Sequence, residues 1–227
     1  FAPCKNINQA TRALKTFVGT EELHEIFAVN KVYLSEFLGQ KSSADLPAWT
    51  VVMVTRGFEK AEISYKKKDL SALAAQLGVE LTSSLTSVKN AGGKILKELA
   101  HPTGPSLHAK DTTDWVPAAT IATASQIKDG SRLFPKKSGG LLMPLQAGGC
   151  FYYQPDLRYR QGDEKEARKE YLSICGKLLK AGVTFPRPSA LVAKQVAKHN
   201  STNFKLLNSI KKEVDPHNIM NPGKLGL

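Results

Sequence analysis

The stretch Trp49-Thr50-Val51-Val52-Met53-Val54-Thr55-Arg56-Gly57 is dense in β-branched and apolar residues and is bounded by Pro47 and Gly57. A run of that length and composition reads as a buried strand. Directly after it, Ile63, Leu70, Leu73, Ala74 and Leu77 recur at helical spacing and Gly78 supplies a stop, so residues 59–77 read as a helix. The same alternation precedes it. Ala10, Leu14, Phe17 and Val18 mark a short amphipathic helix that starts at Asn6 or Asn8 and ends at Gly19. Residues 26–29 read as a strand, residues 32–38 as one or two helical turns closed by Gly39, and residues 41–47 as a polar loop. Strand followed by helix, repeated, predicts an α+β fold: an antiparallel or mixed sheet with helices largely on one side, followed by C-terminal helices.

Further along, residues 84–99 read as partly helical, interrupted by Gly92-Gly93. Residues 100–139 are rich in Pro, Gly, Thr and Ser and offer one strand candidate, 118–122; an irregular stretch of that length in a compact domain is often functional. Residues 141–146 and 150–159 read as a hairpin across Gly148-Gly149. Residues 163–181 carry the marks of a helix: Asp163 as cap, Glu164 and Glu166 near the positive end, Lys177 and Lys180 near the negative end, Gly182 as the stop. Pro186 and Pro188 fix an extended segment. Helices over 189–199 and 202–214 follow, and the tail closes in Asp-Pro and Asn-Pro-Gly turns. There is no internal repeat and no low-complexity tract.

The 227 residues, 41% hydrophobic and 23% charged, suit one large domain or a domain with a small appendage, and argue against global disorder. No apolar run approaches the roughly 20 residues of a membrane helix. Phe1-Ala2-Pro3-Cys4-Lys5 does not read as a signal peptide and suggests a processed or excised piece of something longer. Cys4, Cys150 and Cys175 are an odd count without paired spacing, which predicts plain thiols in a reducing, cytoplasmic setting.

The net charge is +12. Apart from Lys66-Lys67-Lys68 and the pairs Lys136-Lys137 and Lys211-Lys212 the lysines are dispersed, which disfavours nucleic-acid binding. Attraction of anionic ligands, such as a carboxylate or a phosphate group, and pairing with an acidic partner domain both fit the excess.

No Gly-rich phosphate loop opens a helix after a strand, and there is no nucleophile elbow. His101 and His108 stand seven apart across Pro and Gly, so they read as loop histidines and not as a helical metal pair. On the second hairpin strand, alternation puts Tyr152 and Gln154 on one face and Phe151 and Tyr153 on the other; core packing is the favoured role for such aromatics. Arg187, pinned between two prolines, would lose little entropy on binding a carboxylate or phenolate; a surface ion pair is the competing role.

The tail Val214-Asp215-Pro216-His217-Asn218-Ile219-Met220-Asn221-Pro222-Gly223-Lys224-Leu225 resembles the closing signature of the vanillyl-alcohol oxidase superfamily of FAD-linked oxidases, which includes p-cresol methylhydroxylase and the D-lactate and glycolate dehydrogenases. The motif is specific, holding Asp-Pro, Asn-Ile and Pro-Gly-Lys in fixed register. Weaker similarity reaches Ala181-Gly182 with Phe185-Pro186-Arg187-Pro188, the strand and helix at 49–78, and the hairpin at 141–159.

The resemblance implies a two-domain parent in which an N-terminal domain grips FAD and a second domain caps the isoalloxazine ring and forms the substrate pocket. This chain is similar to the cap, residues 1–185, and to a C-terminal helical segment, residues 186–227, that would return to the flavin domain. Asn221 and Lys224 match the tail that runs near the flavin. Arg187 falls where phenol-oxidising relatives carry the arginine of a Tyr-Arg pair; the tyrosine position is Pro186 here, and anion binding is what carries over. The His-x-Gly-Asp-Gly-Asn metal segment of the hydroxy-acid branch is not found, so no metal is implied. Residues 141–143, matching the strand where covalent members attach flavin, offer neither His nor Tyr, which implies dissociable FAD.

The expectation is thus a substrate-side fragment of an FAD-dependent oxidase or dehydrogenase acting on a small anionic alcohol, a 2-hydroxy acid or a phenolic compound, by hydride transfer to flavin. Arg187 would orient the substrate and Tyr152 would line the pocket. No general base is identified, and the chain alone is expected to be inactive. Its partners would be a flavin-binding domain or subunit, the substrate and an electron-transfer partner. The rival readings are a separate non-catalytic subunit and a basic binding module.

Overall fold

The computed structural model describes residues 1–40, 43–85, 88–100 and 113–220. Strand β1 (Ala2–Cys4) leads into helix α1 (Ile7–Phe17), whose first turn is capped by the Asn6 side chain accepting from the Gln9 N–H. Then come β2 (Glu25–Asn30), α2 (Lys31–Phe37), β3 (Trp49–Val54), α3 (Lys60–Gln76) and α4 (Ala91–Ala100). Past residue 112 lie β4 (Thr113–Pro117), β5 (Thr120–Ala122), α5 (Ala124–Gly130), β6 (Gly140–Leu145) and β7 (Cys150–Arg160). Helices α6 (Glu164–Lys180), α7 (Ala190–His199) and α8 (Ser201–Val214) complete the chain.

Among the described residues the strands form one sheet in the order β1-β3-β2-β6-β7-β4, with β5 also on β7, and every pairing is antiparallel. β7 is long enough to serve three neighbours. β6 runs along one edge from Cys150 to Pro155; β5 takes Phe151 to Tyr153 and β4 takes Asp156 to Arg160 on the other.

The period of two along each strand divides the interior into two layers. On the first face Ala28, Val51, Leu142, Phe151, Tyr153 and Leu157 meet α1, α3, α5, α6 and α7 through Leu14, Phe17, Leu70, Ile127, Tyr171 and Val192. On the second face Phe27, Val29 and Val52 meet Tyr33, Leu34 and Leu38 beside α2 and Ile95 of α4. The helices therefore do not keep to one side. A period of 3.6 reveals that a helix has an apolar stripe but not which face of a sheet receives it.

Other expectations change in detail. Gly92-Gly93 do not interrupt α4 but lie in its first turn, where a Cβ at Gly93 would come within 2.6 Å of the Asn90 side chain. Asp163 holds the cap position of α6 without a side-chain bond; the Gly162 N–H instead donates to the Glu164 carboxylate at 2.9 Å. The stretch expected to be largely irregular contains β4 and α5 besides the strand candidate. α5 starts with a reciprocal cap in which Thr123 and Gln126 satisfy each other's backbone N–H groups.

Candidate functional site

β7 carries the site. Phe151 and Tyr153 are buried in the first-face core, so the aromatics that fill the interior are this pair. Tyr152, Gln154, Asp156 and Arg158 project from the second face. Register sets Met143 and Ile121 on either side of Tyr152, and Leu141 beside Gln154. Over β2 and β3 that face is covered by α2 and α4. Over β5, β6 and this end of β7 the described residues leave it open: Met143 is 41% exposed, and Tyr152 and Ile121 are half-buried.

Arg187 reaches the same patch by a strand-like annexe. After α6 stops at Gly182, which sits at φ +78°, the chain runs alongside β5. The Ile121 N–H donates to the Thr184 carbonyl at 2.7 Å and the Thr184 N–H returns to the Ile121 carbonyl at 3.0 Å. Val183 and Phe185 are buried in the core and clamp the segment from behind, while Thr184 and Arg187 stay exposed. Burial raises the Tyr152 phenol above its ordinary range, and the Arg187 charge acts in the opposite direction. Tyr152 on β7 is in register with Ile121 on β5, and Ile121 bridges Thr184, three residues before Arg187.

A polar row runs from this patch under α2. The Tyr152 hydroxyl donates to Gln154 Oε1 at 2.7 Å. Beyond Gln154 lies the Tyr33 ring, fully buried and pressed so close to the backbone that a Cβ at Gly139 would fall 1.7 Å from a ring carbon. Arg158 stands over that ring, 5.7 Å from its centre. Its guanidinium binds Glu36 on α2 and, through Nε at 3.0 Å, Asp156 Oδ2. Asp156 also accepts the Gly139 N–H at 2.5 Å. Two carboxylates thus share one guanidinium almost out of water, with side-chain exposures of 13% for Arg158, 11% for Glu36 and 1% for Asp156. Such an arrangement survives desolvation only because nearly every lone pair is used. Burial is the main cause that keeps the Tyr33 phenol protonated, and Asp156 adds to it.

Sequence reasoning named Tyr152 and Arg187 and missed Tyr33, Glu36, Asp156 and Arg158. The signal available was the run of polar residues at 154, 156 and 158 on one face of a strand whose other face is apolar. Asn221, Lys224, His101 and His108 lie outside the described residues. Among the described residues no group of His, Cys, Asp and Glu could hold a metal ion, and no helix is long and apolar enough to cross a membrane. Cys4, Cys150 and Cys175 are free; burial pushes the thiols of Cys4 and Cys175 up to about 11 and about 12, so neither is a thiolate near neutral pH.

No protein-family model and no curated protein matches the chain. Solved structures do. A 4-ethylphenol oxidase from Gulosibacter chungangensis, in complex with isoeugenol, matches with a TM-score of 0.72 over 99% of this chain and 52% of that one, at 17% identity. An alkyldihydroxyacetonephosphate synthase matches with a TM-score of 0.50 over 95% of this chain and 42% of that one, at 13% identity. The chain spans about half the length of the structures it matches. At these identities the likeness is one of fold, and it is the α+β fold that the tail's resemblance implied.

Proposed function

We propose that the chain is the substrate-side part of an FAD-dependent oxidoreductase that oxidises a small anionic alcohol, a 2-hydroxy acid or a phenol. What supports this reading is the bridge between Ile121 and Thr184, which brings the Arg187 segment alongside the strand next to Tyr152, on the stretch that the described residues leave open. A cation beside a phenol, on backbone fixed by two hydrogen bonds and two buried side chains, is preorganised for a carboxylate or phenolate. The fold shared with a 4-ethylphenol oxidase agrees with that choice.

The residues fit a flavin in one respect. Met143, Ile121 and Tyr152 form a largely apolar patch suited to face a planar ring system, whereas the described residues contain no glycine-rich loop for a pyrophosphate. This side would therefore cover the cofactor, and gripping it falls to a partner domain, assisted by Asn221 and Lys224 of the tail. A bound flavin would supply the hydride acceptor. The chain's own part is to neutralise the anionic end of the substrate at Arg187, to donate or accept one hydrogen bond at Tyr152, and to exclude water with Met143 and Ile121.

Titration with benzoate, followed by NMR, tests the reading. Shifts should gather at Tyr152, Ile121, Met143 and Thr184. Neutral benzamide should fail to reproduce them, and Arg187→Ala should weaken binding roughly tenfold or more, the scale of one charge-assisted bond. Shifts scattered over the lysine-bearing helices, or equal binding by Arg187→Ala, would sink it.

A further inference from the structure

The Tyr33 hydroxyl is fully buried and makes no hydrogen bond of good geometry. A buried donor without an acceptor is destabilising, because it has given up water for nothing. Its polar neighbour on the sheet is the Gln154 amide. With Tyr152 donating to Gln154 Oε1, that oxygen is engaged on the side of the open patch, and the amide turns its N–H groups, which accept nothing, towards the interior. The proton of Tyr33 then has nowhere to go. If the amide turns over within the same volume, both ends are served: Oε1 accepts from Tyr33, and Nε2 donates to the oxygen of Tyr152.

That second arrangement changes what Tyr152 can do. Its oxygen is now an acceptor for Gln154, so its own proton points out of the chain of bonds, towards the patch it shares with Arg187. An anion there supplies the missing acceptor. Resting on the anion-binding reading above, we propose that Tyr33 and Gln154 are positioning residues that fix Tyr152 as a hydrogen-bond donor to the ligand anion held beside Arg187, through a one-way chain Tyr33 to Gln154 to Tyr152 to ligand. The rigidity the chain needs is present at its buried end. Tyr33 is wedged against Gly139, where any side chain would collide with its ring, and Arg158, tied to Glu36 and Asp156, stands over that ring. Gln154 stands on a strand paired on both edges, so neither end can drift.

The test uses the full chain labelled with ¹³C at the tyrosine ζ carbons, and benzoate as the probe. Tyr33→Phe removes only the hydroxyl and keeps the ring, so the variant should retain a cooperative melting transition. Without ligand it should shift the Tyr152 resonance, and the shift should vanish when the same change is made on a Gln154→Leu background. With benzoate, Tyr33→Phe should weaken binding roughly two- to tenfold, the scale of one net hydrogen bond, and Tyr33→Phe with Tyr152→Phe should be no worse than Tyr152→Phe alone. A Tyr152 resonance and a benzoate affinity both unmoved by Tyr33→Phe would overturn the relay while leaving the anion site intact. Failure of the wild type to bind benzoate at all would instead overturn the anion site, and the relay's outward end with it.

Discussion

Asp215 shows how one residue of the tail motif works. Its carboxylate accepts the Ile219 N–H at 2.7 Å and the Met220 N–H at 3.0 Å, and pairs with Lys211 at 2.8 Å, so it folds the chain back at the end of α8. Lys211 closes the loop from the other side by donating to the Met220 carbonyl at 2.8 Å. The Lys211 bond is the largest of the causes that hold the Asp215 carboxyl below its ordinary range. A depressed carboxyl contributes stability that is fully present above the unfolded aspartate value of about 3.9 and is lost as pH falls through the lower folded value. The turn should therefore persist at pH 5 and open only below the usual aspartate range, seen as faster amide exchange at Ile219 and Met220. Asp215→Asn should show that faster exchange already at neutral pH. Protection of both amides that is unchanged in Asp215→Asn would refute this account of the motif.

At the scale of elements, α8 stands apart. It has no buried residue, and Leu206, Leu207, Ile210 and Val214 are 63%, 42%, 50% and 68% exposed along one side. Phe204, at the edge of that stripe, packs on the core and holds the helix in place beside α7. An apolar stripe left bare on an ordered helix marks a surface that another body covers. In the proposed enzyme that body is the flavin-binding part. Ile210→Glu should leave the melting transition within the small range of surface changes, about 0.5 kcal/mol, and should weaken co-sedimentation with a flavin-binding partner domain. A variant that loses its melting transition would mean the stripe packs within the chain.

Elements were also what the sequence revealed best. Leu14 and Phe17, or Leu70 and Ala74, repeat at a spacing set by local geometry alone, and the hairpin of β6 and β7 is written in its alternation and its glycines. β4 was invisible because Thr-Asp-Trp-Val-Pro becomes a strand only by pairing with β7. The Thr123–Gln126 cap of α5 was legible in principle, being a hydroxyl residue followed by Gln at the third position. The site was half legible for the same reason. Tyr152 and Arg187 could be named as types of residue, but their meeting depends on one bridge between Ile121 and Thr184 that no local pattern announces. Tyr33 and Gln154, and Glu36 and Arg158, are joined across more than a hundred residues by the packing of α2 on the sheet.

For the molecule as a whole, the layers divide the labour. The first face of the sheet is covered by five helices; among the described residues the second is covered over β2 and β3 and left open over β5, β6 and the Tyr152 end of β7. A cover of the proposed kind, with no phosphate loop among its described residues, should not hold FAD by itself. Mixed with FAD and passed over a sizing column, the isolated chain should emerge colourless. Mixed with a flavin-loaded partner domain, it should co-elute as a yellow complex, and Ile210→Glu should break that complex without altering the melting transition of the chain. The two observations separate the rival roles. Stoichiometric FAD retained by this chain alone would mean that the tail around Asn221 and Lys224, together with the open face, suffices to grip the cofactor, and that the division between gripping and covering is drawn in the wrong place.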